Sequence, residues 1–263
     1  MKWPDDVSSR RQLLRAALAG AATFPLVACN ASDGQIGTSS GDNSGGDNSG
    51  RGCCLLKGTR VSAPSGERMV EDLQIGDGVL TLSGPKAIKW IGYSKYTKDT
   101  DRWQASVMPI RVARSAIADQ APHRDLYLSP EHCVFVNDVL IAVKHLVNGT
   151  SIAPAAPAGM AVIEYYHIEF DTHEVMLAEG APVESFMEVN AGRESFSNFV
   201  QYERLYGRDR ARMTPFAPIL GYRNRRQKLA GLARSVVSNV VDVRDPIQVA
   251  RDQLARRAEV LPV

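Results

Sequence analysis

Between residues 53 and 187 the apolar positions fall in short runs broken by turn residues, and no stretch of helical period interrupts them. Arg60-Val61-Ser62-Ala63 runs into Pro64-Ser65-Gly66, and Gly78-Val79-Leu80-Thr81-Leu82 runs into Ser83-Gly84-Pro85, so each reads as one arm of a hairpin. Residues 68–70, 87–93, 107–112, 126–128, 133–136, 140–143, 162–170 and 174–178 are further strand candidates. Many short strands at regular spacing predict an all-β domain of about 135 residues (187 minus 52).

The pattern changes at both ends of this block. On the C-terminal side Leu229, Leu232, Val236 and Val240 recur at intervals of three and four, the period of a helix face. Asp245-Pro246 reads as an N-cap with proline at the first helical position, opening a helix that reaches about Glu259. Residues 188–263 are thus expected to form a smaller, helical extension. On the N-terminal side Ser9-Arg10-Arg11-Gln12-Leu13-Leu14-Arg15 precedes an almost wholly small or apolar stretch from Ala16 to Ala28. Ala16 to Cys29 spans 14 residues, short of the roughly 20 that cross a bilayer, so a signal peptide over 1–29 fits better than a permanent anchor helix. The paired arginines resemble a twin-arginine export signal, and Leu26-Val27-Ala28-Cys29 resembles a lipoprotein box, in which the cysteine is acylated and becomes the new N-terminus. Asn30 to Gly52 holds seven Gly, five Ser and six Asp or Asn in 23 residues, a composition that cannot offset its ordering entropy and suits a flexible tether.

With 263 residues, 44% hydrophobic and 23% charged, the chain has enough apolar mass for a real core, which excludes disordered, collagenous and multi-span membrane classes. The net charge of +2 hides an asymmetry: residues 200–263 carry 13 Lys or Arg against six Asp or Glu, +7, and the rest carries −5. Arg223, Arg225, Arg226 and Lys228 could attract anions, but no aromatic residues interleave them as nucleic-acid binding would favour, and no nucleic acid is expected.

Four cysteines, Cys29, Cys53, Cys54 and Cys133, are too few for a disulfide-stapled scaffold. Cys54 stands at the first position of the β-domain, after the flexible tether, with its own backbone nitrogen within reach of its thiol, a geometry that invites an N-to-S acyl shift. Cys133, one residue past a histidine, reads as core packing; Cys53 carries no evident role; His123 and His145 read as surface or structural, and Gly76-Asp77 as a turn.

Four blocks in order then resemble a Hint domain, the module shared by hedgehog C-terminal regions and inteins: Cys54 to Val61; Val70 to Asp77 followed by Val79-Leu80; Leu128-Ser129-Pro130-Glu131-His132; and Tyr165 to Gly180. The resemblance covers about half of the chain, residues 54 to 187. It implies a horseshoe-shaped β-fold and an intramolecular reaction at the Cys53–Cys54 amide, with Cys54 as nucleophile. Ser129 and His132 stand where the family has a Thr-x-x-His block, whose histidine contacts and protonates the leaving nitrogen. His167 stands where many inteins carry aspartate, and His173 falls in the same block. On one straight strand these two would be about 20 Å apart, unless Asp171-Thr172 turns sharply. No terminal His-Asn pair follows Ala178, so splicing is not expected, and cleavage or transfer of the N-terminal acyl group remains.

The sequence therefore predicts an exported protein, periplasmic or at the cell surface, held at the membrane through lipidated Cys29 until a single self-cleavage at Cys54. The external nucleophile is unspecified, and no cofactor and no metal are expected. Two readings from other classes stay open: a catalytically silent Hint-fold surface or binding module, and an anion-binding protein acting through its basic C-terminal helices.

Overall fold

The computed structural model describes residues 53–98, 103–187, 192–207, 213–221 and 245–261. The expected leader with Cys29, the tether and the apolar repeat from Leu229 to Val240 lie outside them. Among the described residues no helix is long and apolar enough to cross a membrane.

Alternation along the strands builds two sheets. In Val162–Glu169 the side chains of Ile163, Tyr165 and His167 are buried, and in Trp90–Thr97 those of Trp90 and Ser94 are buried, as the two-residue repeat of a strand requires. These two strands pair antiparallel over their whole length, from Val162 opposite Thr97 to Glu169 opposite Trp90. The first sheet runs in the order Ile152–Pro154, Ile110–Val112, Leu126–Leu128, Leu55–Leu56, Val162–Glu169, Trp90–Thr97. The second runs Ile219–Leu220, Val139–Ala142, Cys133–Val136, Ala181–Glu184, Val175–Ala178, Arg60–Ala63, Gly66–Met69, with the hairpin Gly78–Thr81 and Gly84–Ala87 joining at Val175–Ala178. Pairings are antiparallel except that of Ile219–Leu220 with Val139–Ala142.

Three times the chain leaves the first sheet for the second: between Leu56 and Arg60, between Leu128 and Cys133, and between Glu169 and Val175. The residues singled out by the sequence sit at these crossings. Cys54 opens the first, Ser129 and His132 occupy the second, and His167 and His173 bracket the third.

The main core joins both sheets through Leu55, Val61, Val79, Leu128, Val134, Ile141, Ile168, Phe170 and Met176. Its apolar burial, at about 25 cal/mol per Å², is the dominant favourable contribution. A second cluster gathers Cys54, Leu56, Trp90, Ile163, Tyr165, Phe186, Phe196 and Tyr202. There Gly92 matters, because a Cβ at that position would stand 2.7 Å from the Phe196 ring.

Two helices follow the sheets among the described residues. The first, α1, Phe199–Tyr206, places Tyr202 edge-on against Trp90 with ring centroids 5.2 Å apart. The second, α2, Pro246–Ala258, starts as the sequence predicts: the Asp245 side chain accepts from the Ile247 N–H and proline occupies the first turn. Ala250 and Leu254 of α2 are wholly buried in the main core, so this part of the basic extension is docked on the β-domain. The sequence reading overlooked α1 and the short strands Leu55–Leu56, Ile152–Pro154, Ala181–Glu184 and Ile219–Leu220.

Candidate active site

Backbone register brings the site together. Leu55 pairs with Leu128 on one side and with Tyr166 on the other. Continued by one residue, these antiparallel registers set Cys54 between Ser129 and His167. The Cys54 N–H donates to Ser129 Oγ at 2.7 Å, and the Ser129 N–H donates back to the Cys54 carbonyl at 2.9 Å. The nitrogen of the Cys53–Cys54 amide is therefore held by the serine hydroxyl, which acts here as an acceptor.

His132 is fixed through its backbone, donating its N–H to the Ser129 carbonyl and accepting from the Val143 N–H. Its ring is wholly buried, and the carbonyls of Cys53 and Glu184 lie beside it without completing a hydrogen bond. Burial pushes the imidazole down to about 3, against the opposing pull of those two carbonyls. The ring of His167 lies 5.5 Å from that of His132, centroid to centroid, and meets Phe186 edge-on at 5.3 Å and Phe196 at 6.2 Å. Burial, with the neighbouring His132, holds His167 well below the usual range.

The bend at Asp171-Thr172 is present, so His173 is not stranded at the far end of a straight strand. Its Nδ1 accepts the Phe216 N–H at 3.0 Å, which assigns the proton of the neutral ring to Nε2. Burial pushes this imidazole down to about 4. Five nitrogens, both in His132, both in His167 and Nε2 in His173, are buried without a hydrogen-bond partner. Buried polar atoms are ordinarily paired, so this concentration makes the three imidazoles candidates for a functional role.

Cys54 is 2% exposed, and burial drives its thiol far above the usual cysteine range, so the resting residue is a thiol and not a thiolate. Cys53, to which the sequence assigns no role, does have partners. Its Sγ donates to the Glu131 carbonyl at 3.4 Å and also meets the carboxyl of Glu184. Cys133 is buried among Leu140, Ala142 and Val175, as expected for a packing residue, yet its thiol reaches the same two acceptors.

Glu184 is the functional candidate that sequence reasoning missed. It is 3% exposed, its Oε1 accepts the Cys133 N–H at 2.7 Å, and its Oε2 lies 3.8 Å from His173 Nε2. Burial pushes its carboxyl up to about 7, against the hydrogen bonds it receives from Cys133 and Cys53. Within Val183-Glu184-Ser185 nothing in the residue pattern distinguishes an inward carboxylate from a solvated one.

Behind the site Arg193 clamps Glu169 through two hydrogen bonds of 2.8 Å, both side chains being buried. The guanidinium also lies over Phe186 and Tyr202, at 4.9 and 4.6 Å from their ring centres. This lock ties the segment beyond residue 190 to the end of the strand that carries His167.

One cluster has the geometry of a cation site: the ligand atoms of Glu67, His123 and Glu179 lie within 4.8 Å of one another. Arg124 already supplies positive charge there, its Nε standing 3.3 Å from the same Glu179 oxygen that faces His123. His123 stands beside the Glu67 and Glu179 carboxylates, 3.3 Å from each. Asp77 accepts from the Gln74 N–H and from Arg68, which confirms the turn expected at Gly76-Asp77.

The gp41-1 intein aligns at 13% identity with a TM-score of 0.34, covering 50% of this chain and 98% of the intein. The MchDnaB-1 intein aligns at 15% identity with a TM-score of 0.34, covering 49% of this chain and 98% of the intein. No curated protein matches. The Hint domain family matches residues 53–190. That span exceeds half of the chain and takes in both sheets' crossings with the residues gathered there, and the protein accordingly belongs to the Hint domain family, a mainly β Hint fold followed by two short helices.

Proposed function

We propose that the domain carries out one intramolecular N-to-S acyl shift at Cys54, followed by cleavage or transfer of the N-terminal segment. The observation that carries this reading is the 2.7 Å hydrogen bond from the Cys54 N–H to Ser129 Oγ, with the His132 ring beside the Cys53 carbonyl. In the shift Cys54 Sγ attacks the Cys53 carbonyl carbon, a C–S bond forms, the C–N bond breaks, and the thiol proton passes to the nitrogen. A neutral imidazole can relay that proton, and His132, pushed down to about 3, is neutral at working pH. Neither a thiolate nor an imidazolium is stable in so dry a pocket, so the transfer has to be concerted with the attack. The resulting thioester is then open to an external thiol, amine or water.

A second reading, a Hint fold that keeps its shape without reacting, draws support from the same burial, which holds the Cys54 thiol protonated. One experiment separates them. Purified protein incubated with hydroxylamine or a thiol reagent releases an N-terminal fragment that Cys54→Ala abolishes; indifference of the wild type to both reagents refutes the acyl shift.

In the cell the reading extends to an exported protein lipidated at Cys29 and carried there by the twin-arginine route. Cleavage would leave a lipopeptide from Cys29 to Cys53 in the membrane and free the body that begins at Cys54. Membrane fractionation tests this: the wild-type body partitions into the soluble exported fraction and Cys54→Ala stays in the pellet, whereas equal membrane retention of both sinks the release step.

A further inference from the structure

We propose that Glu184 and the Glu131 carbonyl form a subsite for the residue ahead of the reacting bond, selective for a short side chain that donates a hydrogen bond. This rests on the reading of Cys54 as nucleophile and adds a specificity rule to it. The side chain of residue 53 meets two groups, a carbonyl oxygen at 3.4 Å and a carboxyl, and an ionised carboxyl and a carbonyl can only accept. A thiol or hydroxyl satisfies that demand. Alanine removes one donor and leaves the acceptors to Cys133 alone, and aspartate brings a like charge against Glu184.

Glu184 also reaches the chemistry by its backbone, because its main-chain carbonyl lies beside the His132 ring. One residue therefore meets the acyl-side chain with its carboxyl and stands beside the proton relay with its backbone, and Glu184 is a positioning residue acting through Cys53. The groups that bear on its carboxyl are Cys53, Cys133, Glu131 and His173. None of these is a lysine or arginine, so burial outweighs the hydrogen bonds from Cys133 and Cys53, and the carboxyl, raised to about 7, is ionised mainly on the alkaline side of neutrality. The grip on Cys53 is thereby strongest above pH 7 and slackens below it.

Two readouts test the subsite. The first uses the non-reacting Cys54→Ala protein and follows alkylation of Cys53, read by peptide mass, as a function of pH. A carboxylate holding the thiol proton slows alkylation, so Glu184→Gln accelerates it several-fold above pH 7 and leaves it unchanged well below. Identical profiles with and without Glu184→Gln overturn the proposal. The second follows thiol-induced fragment release in protein with Cys54 intact, with folding checked by near-ultraviolet circular dichroism. Cys53→Ser stays close to wild type, Cys53→Ala slows release about tenfold, the equivalent of one lost hydrogen bond, and that difference shrinks in the Glu184→Gln background, where the Glu131 carbonyl still accepts. Full activity of Cys53→Ala overturns the selectivity. If the wild type releases nothing while the alkylation profile shifts as expected, the acyl-shift reading fails and the subsite stands; if release occurs and neither readout responds to Glu184→Gln, the subsite fails alone.

Discussion

Two buried glutamates on neighbouring segments of one domain meet opposite treatment. Glu169 is held by the guanidinium of Arg193 through two short hydrogen bonds, with Lys89 Nζ a further 3.6 Å away. Glu184 is equally buried but takes its hydrogen bonds from a backbone N–H and two thiols, and its carboxyl rises to about 7. A carboxylate matched by a cation is a structural element, while one that burial raises toward neutrality without a cation is a candidate for a functional role. The same contrast separates the two faces of His167: on one side Phe186, Phe196 and the Arg193 lock, fully packed, and on the other His132 with both ring nitrogens orphaned.

The largest effect expected on the reactive side is kinetic. His132→Ala slows fragment release by about 10²- to 10⁴-fold, the usual worth of a positioned acid–base group. Ser129→Ala costs less, because the serine hydroxyl accepts from the Cys54 N–H and carries no proton in the shift. Quantitative gel densitometry of both variants checks the order, and equal or reversed effects remove His132 from the role of proton relay.

On the structural side Arg193→Ala leaves Glu169 buried with its clamp gone and lowers the unfolding free energy by about 3–5 kcal/mol. Urea denaturation measures it. Glu184→Gln in the same assay loses little and gains slightly above pH 7, since its pocket already favours the neutral form. Comparable losses for the two would erase the distinction between locked and titrating carboxyl.

Acid titration sharpens the comparison further. His132, His167 and His173 are neutral in the fold and protonate in the unfolded chain below about 6.5, so their contribution is complete above that pH and is lost as pH falls toward 4 and 3. Glu184, raised from 4.5 to about 7, has the opposite slope over the same interval. Three groups against one leave the unfolded state binding about two more protons between pH 6.5 and 4.5, and stability falls there. The urea midpoint should drop across this window, less steeply in His173→Gln, and a flat profile contradicts the burial of neutral imidazoles.

The smallest effect concerns the packing that covers His167. Gly92→Ala drives a methyl group into the Phe196 ring and destabilises by about 1–3 kcal/mol through overpacking. Thermal melts of this variant alone and with Phe196→Leu test it, because the smaller side chain should recover part of the loss.

Much of the architecture was legible because it is local. The strand Cys133–Val136 and the N-cap of α2 at Asp245 follow from alternation and capping chemistry within a few positions, whereas the hairpin opened by Gly78–Thr81 turns before the expected Ser83-Gly84-Pro85 and returns as Gly84–Ala87. The strand Leu55–Leu56 was missed since two residues carry no period, and α1 was missed since aromatic residues dominate its buried face and resemble strand composition. Cys54, Ser129, His132, His167 and His173 could be named from ordered blocks, but the pairing of Glu169 with Arg193 joins segments 24 positions apart with no shared motif.

The sequence by itself determined the β-rich class, the place where the domain begins, the thiol at its first position and the helix that Asp245 caps, because each depends on neighbours in the chain. Only the tertiary structure decided that the Cys54 nitrogen meets Ser129, 75 positions away, that the Cys53 thiol meets the Glu131 carbonyl, and that the three imidazoles are buried. Those outcomes depend on strand register and on burial, and both are properties of which distant segments pair, a choice that the free energy of the whole core makes rather than any single stretch of residues.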